Sequence, residues 1–264
     1  MAKAWEDFEK SCVDYLESNF GRYACFTWKG KSDSTKSDIE VVTKNGKSFY
    51  IEAKHCPAQC GQFVLLPNIG IETFDYSHLN ATPINPYSHA IIEYMNQDFE
   101  SFKNAGTKGK LIEMENGTNV FAAWIKNYYK RKGTEYVITN NYEIFSIEDI
   151  ENVFNISATY RVKRSGSGYV GKSNVTKVKN YIENNYPVIA VGVEGDRMMA
   201  ISNSELHNVR FKLDGTEYMF SKRENVYEIR KLSNTFNANV IFSVELEPQI
   251  ASILNDEFIE LLTQ

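Results

Sequence analysis

One predicted hairpin constrains this chain more than any other stretch. Two short runs that alternate apolar and polar residues flank Asn45-Gly46, a dipeptide typical of a tight β-turn. Glu52 and Lys54 lie two residues apart in the second run, so both side chains project from the same face of a strand. Asp38 lies in the first run, with 13 residues between it and Glu52. The register of the hairpin therefore decides whether Asp38 joins the other two charges.

Two registers satisfy this pattern, and they place Asp38 on opposite faces. A two-residue turn would pair Asp38 with Ala53 and direct its side chain away from Glu52. A three-residue loop that ends at Gly46, with this glycine at positive φ, pairs Asp38 with Glu52 instead. The second register also collects these apolar side chains on the opposite face: Ile39, Val41, Phe49, Ile51 and Ala53. We therefore predict a loop of odd length, or a bulge, with Asp38, Glu52 and Lys54 on one polar face.

Two carboxylates and an ammonium on a shared face suit the hydrolysis of a phosphodiester. Carboxylates hold Mg²⁺, a hard cation that prefers oxygen ligands and keeps several waters. The bound metal polarises the phosphoryl oxygen, and a lysine beside it stabilises the developing negative charge. The alternative is a solvated strand face that carries an ordinary Glu–Lys pair.

The same residues resemble the PD-(D/E)xK nuclease superfamily, which has the fold of most type II restriction endonucleases and of archaeal Holliday-junction resolvases. Ser37-Asp38 resembles the first motif, with Ser37 in place of the family proline, and Glu52-Ala53-Lys54 resembles the second. The resemblance implies an α/β, restriction-endonuclease-like core, in which helices flank a mixed β-sheet.

The resemblance also implies roles for individual residues. Asp38, Glu52 and the carbonyl oxygen of Ala53 would bind Mg²⁺, and Lys54 would position the attacking water. Gln62 is similar to a glutamine that many members carry on the helix after the lysine. Pro57 in the first turn of a short helix would place Gln62 there.

Ala4 to Phe20 show the periodicity of an amphipathic helix, and Glu9 falls inside its apolar stripe. A carboxylate in such a stripe is costly to bury unless it meets a cation or a hydrogen-bond donor. One interpretation pairs Glu9 with a basic neighbour such as Arg22. The other follows from the resemblance, because nuclease relatives carry a glutamate on their first helix that supports the metal site.

The stretch from Asn155 to Ile182 contains no acidic residue, although the whole chain has a net charge of −5. Basic residues, hydroxyls and flexible glycines accumulate there, and such a loop can follow a phosphate backbone. The predicted DNA-binding residues are Arg161, Lys163, Arg164, Ser165, Ser167 and Lys172. The alternative is a solvated hairpin.

The order of predicted elements suggests two regions. Residues 1–185 combine helices and strands and would form the nuclease core. Residues 186–264 consist mostly of predicted strands, followed by a terminal helix that starts at Pro248. This β-rich region would recognise bases, form a dimer interface or extend the same domain.

Bulk properties limit the partners. No apolar run approaches the length of a membrane span, and four cysteines without a framework spacing predict a reducing cytoplasm. The glycines match no nucleotide-binding fingerprint, so we expect no nucleotide cofactor.

Together these features predict a Mg²⁺-dependent type II restriction endonuclease that cuts double-stranded DNA. By resemblance it would leave 5′-phosphate and 3′-hydroxyl ends. A two-fold homodimer would match the symmetry of a palindromic site. The alternatives are a structure-specific repair or Holliday-junction nuclease of the same superfamily, and a non-catalytic DNA-binding module.

Overall fold

The computed structural model describes residues 4–30, 36–247 and 255–264. The chain forms two compact units. Unit 1 comprises Met1–Arg161 and Ala238–Gln264, and unit 2 comprises Val162–Asn237. The observed division differs from the expected boundary after residue 185, since residues 162–185 belong to unit 2 and the last strand of the β-rich region returns to unit 1. Pro248, the expected start of the terminal helix, lies outside the described residues.

Strands and helices alternate along unit 1, and strands dominate unit 2. The strands are β1 (Ala24–Trp28), β2 (Ile39–Thr43), β3 (Ser48–Lys54), β4 (Ala58–Asn68), β5 (Thr73–Tyr76), β6 (Lys110–Leu111), β7 (Thr134–Thr139), β8 (Ile144–Ser146), β9 (Phe154–Arg164), β10 (Ser167–Gly168), β11 (Ala190–Glu194), β12 (Arg197–Ile201), β13 (Arg210–Leu213), β14 (Thr216–Arg223), β15 (Val226–Leu232) and β16 (Phe236–Leu246). The α-helices are α1 (Ala4–Phe20), α2 (Pro86–Gln97), α3 (Phe99–Lys103), α4 (Gly117–Arg131), α5 (Ile150–Val153), α6 (Val175–Asn185) and α7 (Asn255–Thr263). Short 3₁₀ turns cover Ile147–Asp149 and Lys172–Asn174.

The first sheet of unit 1 is mixed, as predicted. Its strand order is β1-β2-β3-β7-β8, with β3 and β7 parallel and the other neighbours antiparallel. Helices α1 and α7 bury apolar side chains in the same core as this sheet; they are Cys12, Leu16, Phe20, Phe258 and Leu262. The two helices therefore cover the apolar face of the β2–β3 hairpin and leave its polar face for other elements.

The hairpin has the predicted register. Ile39 pairs with Ile51 and Val41 with Phe49, an arrangement that places Asp38 opposite Glu52. The Thr43 N–H donates to the Lys47 carbonyl oxygen at 2.9 Å, which leaves Lys44, Asn45 and Gly46 as the loop, and its last residue, Gly46, has a φ of 84°. Ile39, Val41, Phe49 and Ile51 are all buried. The sorting of apolar side chains thus coincides with the register that brings the two carboxylates together.

A substitution at Gly46 tests this loop. A Cβ at Gly46 would meet no atom within 4 Å, so Gly46→Ala changes only the cost of a positive φ. We expect a loss of about 1–2 kcal/mol in the free energy of unfolding. Gly70→Ala is the control, because its Cβ would make ordinary contacts at 3.6 Å without a positive φ. Chemical denaturation measures the unfolding free energy of both variants. Equal losses for Gly46→Ala and Gly70→Ala would count against a loop with Gly46 at positive φ.

The second sheet of unit 1 has the order β5-β4-β16-β9-β6. The prediction of a short helix after Pro57 is wrong, because that segment is strand β4, paired with β5 and β16. A bulge at Gly61, where φ is 93°, interrupts the register with β16. Phe63 and Leu65 are buried, so burial and pairing with two neighbouring strands outweigh the weak local signal for a helix. Helix α4 contacts both sheets. The rings of Trp124 and Phe242 of β16 stack with their centroids 4.3 Å apart, and the Tyr129 hydroxyl donates to Glu52 of β3.

Unit 2 is β-rich, as predicted for the C-terminal part. Its main sheet has the order β11-β12-β15-β14-β13, and β10 pairs with β15. Helix α6 buries Val178 and Ile182 in a core with Phe220 and Ile229 from the sheet. In the described part of the chain, every helix is too short or too polar to cross a lipid bilayer.

Candidate active site

The structure brings Asp38, Glu52 and Lys54 together at one end of the β2–β3 hairpin. Asp38 directly precedes β2, and Glu52 and Lys54 lie near the end of β3. The backbone N–H of Ala53 donates to Asp38 Oδ2 at 3.0 Å. The Lys54 Nζ donates to Glu52 Oε1 at 2.7 Å. The antiparallel register supplies the first contact, and the two-residue repeat of a strand supplies the second.

Glu52 and Lys54 form a buried ion pair. Their side chains are 11% and 13% exposed. Burial alone would raise the pKa of Glu52, but the adjacent Lys54 charge outweighs burial and lowers it. Burial alone would lower the pKa of Lys54, but Glu52 raises it. Both groups are therefore charged at neutral pH.

The surroundings of Asp38 are more negative than those of Glu52. Burial and the neighbouring Glu52 charge raise the pKa of Asp38 to about 8, against the opposing effect of Lys54. Lys54 thus faces the buried carboxylate of Glu52 and the half-buried one of Asp38. Such an excess of negative charge is the situation that a bound cation relieves.

Glu9 completes the acidic side of this cluster. It is 8% exposed on α1, and the indole N–H of Trp28 donates to Glu9 Oε2 at 2.8 Å. The hydrogen-bond partner of Glu9 is therefore Trp28 and not Arg22, whose guanidinium lies over the Tyr23 ring. Burial raises the pKa of Glu9, and the carboxyl group interacts with that of Asp38.

Glu9 packs closely against Gly30, which lies two residues after the end of β1. A Cβ at Gly30 would lie 2.0 Å from Glu9 Oε2 and 2.7 Å from the Trp28 indole nitrogen. The backbone of Gly30 also donates to the carbonyl oxygen of Asp38 at 3.2 Å. The close packing of Gly30 therefore connects Glu9 to the segment that carries Asp38.

Among the described residues, Tyr129 and Thr134 also contact the site and were not identified from the sequence. Ser37 shares a buried hydrogen bond of 2.7 Å with Thr134 of β7, which accounts for a serine before Asp38. The Tyr129 hydroxyl on α4 donates to Glu52 Oε1 at 3.1 Å. Thr134 and Tyr129 are about 80 residues beyond the hairpin in sequence, and a local pattern carries no signal for contacts at that distance.

Gln62 does not occupy the position expected of it. It lies on strand β4 and not on a helix, and its side chain is exposed. Gln62 Oε1 accepts from Gln59 Nε2 and from Asn239 Nδ2, both at 3.3 Å. These contacts belong to the second sheet, so they give no support to a role beside Lys54.

The predicted DNA-binding residues begin at the end of β9. Arg161 belongs to unit 1, and the other members of the set belong to unit 2. The exposed members are Lys163, Ser165, Ser167 and Lys172. Arg164 is half-buried and forms an ion pair of 2.5 Å with Glu217. The lysines are thus the members of the set whose cations face solvent.

Unit 2 also contains an arginine cluster that the sequence analysis did not identify. Arg197, Arg223 and Arg230 surround the Glu228 carboxylate at 3.0–3.4 Å, and Glu228 is 2% exposed. Arg230 also donates to the Ser167 carbonyl oxygen at 2.7 Å. Three cations around one carboxylate leave an excess of positive charge on this side of the unit 2 sheet.

No group of three or more His, Cys, Asp or Glu side chains among the described residues is arranged as a complete metal-binding cluster. Mg²⁺ does not require such a cluster, since it is commonly bound through one or two carboxylates and retains waters. The oxygen donors at Asp38 and Glu52 therefore fit Mg²⁺ better than they fit zinc, which prefers nitrogen and sulfur ligands.

A solved structure resembles the chain over both units. HhaI endonuclease, determined in complex with DNA, is 39% identical to this chain, with a TM-score of 0.78 and coverage of 99% of each chain. The chain belongs to the HhaI endonuclease family. No protein-family model matches the sequence, and no curated protein is significantly similar to it. Because the match to HhaI endonuclease spans the whole of both chains, unit 2 is part of the shared fold and not an addition to it.

Proposed function

We propose that this protein is a sequence-specific, Mg²⁺-dependent DNA endonuclease with a PD-(D/E)xK site, and that it leaves 5′-phosphate and 3′-hydroxyl ends. The observation that carries the proposal is the hairpin register, which sets Asp38 opposite Glu52 with Lys54 bound to Glu52. Membership of the HhaI endonuclease family supports the endonuclease class, and the DNA in the HhaI complex supports duplex DNA as the substrate.

The donor set suits Mg²⁺. Asp38 and Glu52 would contribute carboxylate oxygens and Ala53 its carbonyl oxygen, all hard ligands of the kind this ion prefers. When bound, Mg²⁺ polarises a phosphoryl oxygen and lowers the pKa of a coordinated water. The protein's own contribution is to hold the carboxylates in place through the β2–β3 pairing and the Ala53 N–H bond to Asp38.

Lys54 supplies the positive charge in this proposal. Its ammonium is held at 2.7 Å from Glu52, so it stays charged and fixed in a site with little solvent. A preorganised cation stabilises the negative charge that develops as water attacks the phosphorus. Glu9, held by Trp28 and adjacent to Asp38, would support the metal-binding carboxylate without direct contact with the substrate.

Unit 2 would bind the DNA backbone. Lys163 and Lys172 are exposed and close in sequence to the exposed hydroxyls of Ser165 and Ser167, and the unit 2 sheet, to which Ser167 belongs, carries the arginine cluster. Cations and hydroxyls of this kind contact phosphates and position a duplex without reading its sequence.

Salt dependence tests the two lysines. Lys163→Ala and Lys172→Ala should each weaken binding of any duplex and reduce the slope of log affinity against log salt by about 1. Lys44→Ala is the control, because Lys44 lies in the hairpin loop at the far end of β2 from Asp38. Fluorescence anisotropy at several salt concentrations measures the slopes. Slopes identical to that of Lys44→Ala would show that these lysines do not contact DNA phosphates.

The homodimer stays a prediction, based on the symmetry of palindromic sites. Sedimentation velocity of the protein, with and without a short duplex, measures the number of chains per complex.

The experiment that tests the function is digestion of unmethylated phage DNA with and without Mg²⁺. We expect discrete fragments that depend on Mg²⁺, with ends that DNA ligase accepts without further treatment. Cleavage confined to branched DNA would indicate a structure-specific nuclease. Binding without cleavage under any divalent metal would contradict the enzyme assignment.

A further inference from the structure

Glu52 is held by a second donor besides Lys54. The Tyr129 hydroxyl donates to the same oxygen, Oε1, that accepts from Lys54 Nζ. The terminal torsion of a glutamate is broad and has no strong intrinsic preference. Two donors that converge on one oxygen from different elements fix this torsion, so the plane of the Glu52 carboxylate is set by α4 as well as by β3.

Cys60 extends this arrangement by one step. Its Sγ lies 3.6 Å from the Tyr129 hydroxyl oxygen, and both side chains are 1% exposed. A tyrosine hydroxyl has one hydrogen, which here points to Glu52, so the thiol donates to the tyrosine oxygen. Cys60 is placed by the β4 bulge, because the next residue is Gly61 with its φ of 93°. The second sheet of unit 1 is thereby connected to the active-site carboxylate.

The ring of Tyr129 is itself held firmly. The neighbouring Tyr128 ring lies edge-to-face with it at 5.2 Å, and Lys54 Nζ lies 6.0 Å from its centroid. Burial on a packed helix leaves the hydroxyl little freedom to leave Glu52. This side chain also lies beside Glu52 and Lys54.

We propose that Tyr129, supported by Cys60, is a positioning residue that orients the Glu52 carboxylate for metal binding. The inference rests on the proposed nuclease function. Groups that orient metal-binding side chains affect metal affinity or activity by about 10–100-fold when removed. Tyr129 does not touch the substrate in this account and acts only through Glu52.

A tyrosine that merely fills the core would behave differently. Its hydroxyl would matter for stability alone, and its loss would leave the metal requirement unchanged. Tyr128 provides the comparison, because it is the adjacent aromatic residue on α4 and stacks on Trp124. Tyr128→Phe and Tyr129→Phe remove the same atom one residue apart.

The test compares these two variants in the full-length protein. We expect Tyr129→Phe to lower the single-turnover cleavage rate by about 10–100-fold and to raise the Mg²⁺ concentration for half-maximal rate. Ca²⁺ titrated into the protein–DNA complex, followed by calorimetry, should bind more weakly by a similar factor. DNA affinity in EDTA and melting temperature should match those of Tyr128→Phe.

Each outcome decides the matter. If the wild type cleaves DNA and Tyr129→Phe matches Tyr128→Phe in rate and in Ca²⁺ affinity, the inference fails and the proposed function stands. If the wild type neither cleaves DNA nor binds Ca²⁺, both fail.

A second pair of variants covers the case in which Tyr129→Phe melts below Tyr128→Phe. Cys60→Ser keeps a donor toward the Tyr129 oxygen, whereas Cys60→Ala removes it. A Mg²⁺ requirement closer to wild type for Cys60→Ser than for Cys60→Ala supports the positioning role, and equal requirements overturn it.

Discussion

Asp38→Asn should lower the rate of DNA cleavage by at least about 10³-fold, because it removes one of the two carboxylates that would hold the metal. Asparagine has nearly the same volume and retains an oxygen that accepts from the Ala53 N–H. The melting temperature should not fall, because burial and Glu52 raise the pKa of Asp38 to about 8, and the neutral amide therefore resembles the protonated carboxyl group that the metal-free protein favours near neutral pH. Single-turnover kinetics and thermal melting measure the two effects.

Asp14→Asn is the matched control for this prediction. Asp14 is an exposed carboxylate on α1, and its substitution should leave the cleavage rate within about 2-fold of wild type, as surface changes usually do. Binding of duplex DNA without divalent metal should be similar in both variants. A cleavage rate for Asp38→Asn close to that of Asp14→Asn would show that Asp38 takes no part in the chemistry.

Lys54→Ala should impair both cleavage and stability. Loss of the ammonium removes the charge that would face the reacting phosphate, and we expect a rate at least about 10²–10³-fold lower. The change also leaves Glu52 buried without its cation, which costs about 3–5 kcal/mol of unfolding free energy in comparable sites. Lys54→Arg keeps the positive charge but replaces the compact ammonium with a planar guanidinium. Compared with Lys54→Ala, it should therefore recover stability more than activity.

Lys47→Ala separates the buried pair from an ordinary surface pair. Lys47 and Glu135 lie 3.4 Å apart with side chains 45% and 41% exposed, and such pairs contribute about 0–1 kcal/mol. Urea denaturation of both variants gives the comparison. A loss of unfolding free energy for Lys54→Ala no larger than that for Lys47→Ala would mean that Glu52 does not depend on this ion pair.

The hairpin was predictable because two independent constraints select the same register. Apolar residues at alternate positions must share a face, and Gly46 can adopt the positive φ that a three-residue loop requires. The helix that carries Glu9 was predictable for a similar reason, since its 3.6-residue periodicity extends over the whole of α1. Local patterns of this length suffice to predict an element when the burial pattern and the backbone geometry indicate the same structure.

The surroundings of the site were not predictable from local patterns. Tyr129 and Thr134 reach Glu52 and Ser37 only after α4 and β7 have packed against the hairpin. The segment around Gln62 is too short for its periodicity to distinguish a helix from a strand, and pairing with β16 decided in favour of the strand. The division into units differs from the expected boundary after residue 185, and the return of β16 to unit 1 depends on long-range pairing with β4 that no local pattern indicates.

The most direct test of the central claim is a crystal structure of the protein with duplex DNA and Ca²⁺, which supports binding in place of Mg²⁺. We expect a cation about 2.3–2.6 Å from carboxylate oxygens of both Asp38 and Glu52, with a DNA phosphate bound to the same ion and Lys54 Nζ facing it. A scissile phosphate bound away from these side chains, or a cation that contacts neither carboxylate, would contradict it.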